Sequence, residues 1–221
     1  MPRFVLLPSP VLGPYSWRAV AEALGGQVLA LPRLSSLGGS YYEQLAEAAA
    51  AQIAPGEPAV LVAHSGAGAL VPAVAARRAL AGAILVDAIL PHPGRSWFDT
   101  APAELRHHLR SGARDGRLPA WDEWWPPGAL ERLVPDEAAR EALIAELEPI
   151  PVAWFEEVAP AGESPERSAY LKLSEAYEDE ARAANRLGWP LVRLPLNHLA
   201  PVSQPTAVAS AITGLAERLS A

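Results

Sequence analysis

The segment Ala59-Val60-Leu61-Val62-Ala63-His64-Ser65-Gly66-Ala67-Gly68 contains the most informative turn in the chain. A continuous apolar run, as in a strand covered on both faces, meets a polar residue flanked by small ones, and helix-period sequence (67–78) begins at once. A strand-to-helix turn this sharp crowds and strains its central residue, so the side chains two before and two after must be small. Ala63 and Ala67 satisfy that need, where Gly is commoner. The turn lifts Ser65 above the sheet, beside a helix N-terminus whose dipole favours developing negative charge. The plainer alternative is an ordinary serine capping a helix.

On either side of this turn, short apolar runs alternate with helical patterns. Residues 4–7, 27–31, 59–63, 83–87, 169–173 and 191–194 are expected strands, each nearly all apolar. Trp17, Val20, Ala21 and Leu24 share one helix face, which Gly25-Gly26 closes. Ser40-Tyr41-Tyr42-Glu43 has the form of a capping box opening the next helix. Further helices are expected over 175–187 and 206–219. Such alternation specifies an α/β fold with a mostly parallel, doubly wound sheet of about six strands.

Residues 92–165 break the alternation. They carry helical patterns (103–111, 121–133, 136–147) bounded by Pro and Gly, and hold five of the seven tryptophans. The stretch is expected to be a helical cap inserted after the strand ending at Asp87, above the carboxyl edge where open α/β sheets place ligands. Residues 1–91 and 166–221 then form the core.

The 221 residues are 50% apolar and 19% charged, enough for a sizeable core and too apolar for a disordered chain. A net charge of −7 argues against nucleic acid or an anionic membrane as partner. The absence of cysteine excludes disulfides and thiolate metal sites and agrees with a cytoplasmic setting. After Met1 the apolar run stops at Pro8, too short for a signal-peptide core. His64, Ser65 and Pro72 interrupt the most apolar stretch, which is therefore no membrane span.

The turn at Ser65 resembles the nucleophile elbow of the α/β-hydrolase superfamily, and the resemblance covers nearly the whole chain. The order Ser, acid, His of that fold is followed here by Ser65, Asp87 and His198. The resemblance makes His198, in a loop before the final helix, the base that takes the serine proton. Asp87 at the end of its strand resembles the pancreatic-lipase branch, whereas most members carry the acid one strand later. There the chain offers Glu175 as the alternative acid, with no Asp at the usual spot. Asp87 is the preferred partner of His198.

The loop Leu7-Pro8-Ser9-Pro10-Val11-Leu12-Gly13-Pro14-Tyr15-Ser16-Trp17 looks like that of the plant methylesterase and hydroxynitrile-lyase branch, with Gly13 and Trp17 in register. The resemblance implies an oxyanion hole built from the Gly66 N–H and a backbone donor at position 10. Pro10 has no N–H. Either the Val11 N–H or the Ser9 hydroxyl supplies the second donor, or the chemistry makes little demand on one, as in the lyases of that branch.

Ser9, Leu12, Tyr15, Trp97, Trp124 and Trp154 are expected substrate contacts, although each tryptophan could equally belong to a small core within the cap. Glu156-Glu157 and Glu178-Asp179-Glu180 read as solvated charge. No metal site or cofactor is expected. The first expectation is a serine hydrolase for a small apolar ester, thioester or lactone, working as a monomer or homodimer. The second is a lyase, cyclase or eliminating enzyme using the same Ser/His pair. The third is a catalytically silent ligand-binding protein.

Overall fold

The computed structural model describes residues 2–56 and 58–220. Its strands are β1 (Arg3–Leu7), β2 (Gln27–Val28), β3 (Ala59–His64), β4 (Leu80–Val86), β5 (Arg117–Leu118), β6 (Ile150–Pro151), β7 (Ser168–Lys172) and β8 (Leu191–Arg193). Six of them form one sheet in the order β2-β1-β3-β4-β7-β8, every pair parallel. β5 and β6 pair antiparallel to each other. Helices α1 (Arg18–Leu24), α2 (Tyr41–Ala51) and α3 (Val71–Ala75) precede β4. The insert between β4 and β7 contains α4 (Trp97–Thr100), α5 (Ala103–Gly112), α6 (Ala129–Leu133), α7 (Glu137–Ile144) and α8 (Val152–Glu156). Helices α9 (Glu178–Arg186), α10 (Ala200–Ser203) and α11 (Pro205–Ser220) complete the chain.

Alternation along the strands sends residues to two cores. Val5, Leu7, Leu61, Ala63, Leu85 and Tyr170 pack with residues of α2, α3, α9 and the insert. Phe4, Leu6, Val60, Val62, Ile84, Val86, Ala169 and Leu171 pack on the other face with α1 and α11. Burial on both faces explains why these strands are almost uniformly apolar. Among the described residues no helix is long and apolar enough to cross a membrane.

Three expected elements differ. The helix over 67–78 is a 3-10 turn, Ser65–Leu70, followed by a short α3, because Gly66 and Gly68 weaken helical preference there. The pattern over 121–133 divides into a 3-10 turn, Trp121–Trp124, and α6, separated by Pro126 and Pro127. The capping box at Ser40 does not form: Ser40 takes a left-handed backbone, φ 49, and its side chain caps nothing. Instead the first amides of α2, Tyr41 and Tyr42, donate to the two oxygens of Glu157 at 2.8 and 2.9 Å.

Glu157 belongs to the insert, and two more of its carboxylates work in the same way. The Tyr15 N–H donates to Glu146 at 2.7 Å, and the Ser35 N–H to Glu148 at 3.2 Å. Gly13 makes room for the first of these contacts. Its φ is +76, and a Cβ there would lie 2.6 Å from a Glu146 carboxylate oxygen. Glu157 is therefore no solvated charge, and neither is Glu178, which pairs with Lys172 at 2.8 Å and Arg193 at 3.3 Å.

Candidate active site

Strand β3 ends at His64, and the chain reverses into the 3-10 turn through Ser65, whose φ is +55. A non-glycine residue in this region is strained and persists only where its surroundings enforce it. Ala63 and Ala67, two residues to either side, are fully buried, so larger side chains have no space. The Ile89 N–H donates to the Ser65 carbonyl at 3.1 Å. Beneath it, a Cβ on Gly68 would fall 2.0 Å from the Ile89 carbonyl oxygen. Glycine at 68 lets the segment after β4 lie directly under the elbow.

Three side chains from three loops meet at this edge of the sheet. His198 Nε2 lies 3.1 Å from Ser65 Oγ, and His198 Nδ1 lies 2.9 Å from Asp87 Oδ2. Asp87 is fully buried just beyond β4 and is itself left-handed, φ +42. Its Oδ1 accepts the Leu173 and Ser174 N–H groups at 2.8 and 2.9 Å, and its Oδ2 accepts the Ser174 hydroxyl at 2.6 Å. Burial alone would raise its pKa, but hydrogen bonds from His198 and Ser174 outweigh it and hold the carboxyl below its ordinary range. An ionised carboxylate only accepts, so Nδ1 carries the imidazole proton and Nε2 faces Ser65 as acceptor. Glu175 is not the acid. Its side chain is 90% exposed and pairs with Lys172 at 2.6 Å, because it opens the 3-10 turn before α9 and faces outward.

Tyr177 and His64 are neighbours the sequence did not single out. The Tyr177 ring lies parallel to the His198 ring, 6° between planes and 5.0 Å between centroids. Its hydroxyl is 3.4 Å from Ser65 Oγ and, since the serine proton goes to His198, is the donor in that pair. Burial pushes the Tyr177 phenol pKa up, so it stays protonated. The His64 ring packs 4.6 Å from His198, and its Nε2 donates to the His198 carbonyl at 3.0 Å. Burial, aided by the neighbouring His198, lowers its pKa to about 3 and keeps it neutral. His64 thus pins the backbone of the loop that carries His198.

A family model described as "Alpha/beta hydrolase family" matches residues 4–211. The chain belongs to the alpha/beta hydrolase family. No curated protein sequence matches it. Among solved structures it is similar to an extracellular alpha/beta-hydrolase from a Paenibacillus species, with 19% identity, 97% of this chain and 99% of that one covered, and a TM-score of 0.68. A methylesterase from Arabidopsis is 16% identical over 99% of this chain and 100% of its own, TM-score 0.68. Tomato methylketone synthase I, solved with 2-tridecanone, is 14% identical over 99% and 98%, TM-score 0.70. At these identities the likeness establishes the shared fold.

Beside the elbow, Ser9-Pro10-Val11-Leu12 forms a turn closed by the Leu12 N–H on the Ser9 carbonyl at 3.0 Å. Ser9 is fully buried and its hydroxyl has no partner among the described residues. Val11 is half-buried at the tip of the turn. Leu12 is fully buried in the core, and Tyr15 is half-buried with its amide held by Glu146. Of the expected tryptophan contacts, Trp97 and Trp124 pack on Phe155 within the insert, and Trp154 packs against Tyr41 and Tyr42 of α2, joining insert to core. Trp121 is the insert tryptophan that approaches His198, 6.2 Å between centroids, with Trp125 against its edge. Adjacent tryptophans in sequence do not reveal which of them turns inward.

Proposed function

We propose that this protein is a serine hydrolase acting on a small apolar ester, thioester or lactone. The observation that carries the reading is the unbroken hydrogen-bonded series from Ser65 through His198 to Asp87. Ser65 Oγ attacks the carbonyl carbon while its proton passes to His198 Nε2, and the carbonyl electron pair moves onto oxygen beside the Gly66 N–H. As the tetrahedral intermediate collapses, His198 returns the proton to the leaving alcohol or thiol, leaving an acyl group on Ser65. Water, deprotonated by His198, then releases the acid. Asp87 holds the imidazole tautomer and offsets its transient positive charge. We place the protein in the cytoplasm as a monomer or homodimer, with a small apolar acyl compound as its partner and neither nucleic acid nor membrane. Residues 92–165 act as its cap.

A fluorophosphonate probe tests this directly. Wild-type protein should gain one adduct mapped to Ser65 by peptide mass spectrometry, and Ser65→Ala should gain none. Wild-type protein that stays unlabelled would overturn the reading.

A lyase, cyclase or eliminating activity at the same Ser/His pair is the second reading. Pro10 favours it by removing a backbone donor where a hydrolase needs one, and tomato methylketone synthase I shares the fold. Conversion of a candidate intermediate without incorporation of 18O from labelled water would select this reading over hydrolysis.

A further inference from the structure

We infer that the Ser9 hydroxyl is the second oxyanion donor, a side chain standing in for the backbone N–H that Pro10 removes. The inference rests on the hydrolase reading and adds a residue to it.

Buried hydroxyls almost always find a partner, because taking one out of water without a hydrogen bond costs stability. Ser9 Oγ is an exception: its residue is fully buried and its oxygen has none among the described residues. The turn that holds it is well ordered by its own backbone, with the Leu12 and Gly13 N–H groups on the Ser9 carbonyl at 3.0 and 3.2 Å. The hydroxyl is therefore not left over from a poorly formed loop. Its location is specific. A Cβ built on Gly66, the residue after Ser65, would have Ser9 Oγ as its nearest neighbour at 3.4 Å, with Pro10 Cδ next at 4.0 Å. The unused donor thus stands against the residue that supplies the first oxyanion N–H.

A free donor beside Gly66 is what a developing oxyanion requires. Fixed dipoles aimed at charge that appears only in the transition state stabilise it without reorganisation, and the penalty is borne in the resting protein as an unpaired polar group. When Ser65 Oγ bonds to the carbonyl carbon and its proton moves to His198, the new alkoxide accepts from the Gly66 N–H and from the Ser9 hydroxyl. Ser9 keeps its proton throughout and donates only a hydrogen bond.

The test compares wild type, Ser9→Ala and Ser9→Cys on p-nitrophenyl esters of short acyl chains, with fluorophosphonate labelling and thermal melting on each. Loss of one oxyanion donor should lower kcat by about 100- to 1000-fold with KM little changed. Cysteine, a similar shape with a weak donor, should show a comparable loss. Melting of Ser9→Ala should be unchanged or higher, because the variant no longer buries an unpaired hydroxyl. This divergence separates a donor from a structural serine. Wild-type turnover with kcat retained in both variants would overturn the Ser9 role and leave the hydrolase reading intact, with Val11 N–H as the donor. A fall in kcat that tracks a fall in melting temperature would also overturn it. Wild-type protein inert to probe and esters would overturn the hydrolase reading and the Ser9 role together.

Discussion

Ser65 and Asp87 share a backbone that L-residues avoid, with φ of +55 and +42, and each costs roughly 1–3 kcal/mol. Asp87 is held there by its own N–H on the Leu171 carbonyl at 2.8 Å and by the four donors its carboxylate receives. Asp87→Asn preserves the shape but removes the charge and permits the wrong imidazole tautomer. Steady-state kinetics should show kcat reduced by about 10⁴-fold with little change in KM. The variant also has a pH signature. Because the folded pKa lies below the ordinary 3.8, the stability contributed by ionised Asp87 is complete above that value and lost as pH falls through the folded one. The melting-temperature gap between wild type and Asp87→Asn should therefore narrow as pH falls below about 4. The elbow was legible in the sequence because its demands are local: small residues at fixed offsets from Ser65. Tyr177, His64 and the unpaired state of Ser9 were not, since each is defined by contact with loops more than 50 residues away in the chain.

At the scale of elements, the strands followed from their apolar runs with ends off by a few residues, whereas the start of α2 did not follow from Ser40 and Glu43. The competing acceptor, Glu157, is 115 residues away in sequence, and its bidentate grip on Tyr41 and Tyr42 makes the local box unnecessary. A capping box does form at Ser96 and Asp99, where both partners are local to the first turn of α4. Glu157→Ala should lower unfolding free energy by about 1 kcal/mol, the usual effect of a lost N-cap, read as a shift in urea midpoint without a change in slope. Glu43→Ala, by contrast, should leave the midpoint unchanged. The acidic run at the start of α9 conceals a similar role. Glu178 is drawn down to about 2 by hydrogen bonds from Lys172 and Arg193, which ties α9 to β7 and β8.

For the whole molecule, the decisive relation is between the insert and the sheet layer beneath it. Glu146, Glu148 and Glu157 reach from the insert to backbone amides at Tyr15, Ser35, Tyr41 and Tyr42, while Trp154 packs over the last two. Replacing the three carboxylates together by Gln keeps shape and a neutral acceptor but removes charge assistance. Amide hydrogen exchange at Tyr15, Tyr41 and Tyr42 should then accelerate by about tenfold or more, the counterpart of roughly 1.5 kcal/mol for a charge-assisted bond. Exchange in β3 and β4 should not change. The ends of the sheet have a different consequence. β2 pairs through two residues and β8 is three residues long, one of them Arg193. A stray strand seeking to extend the sheet would find only a short ladder to template on at either flank, which disfavours self-association by edge addition, the usual route to fibres.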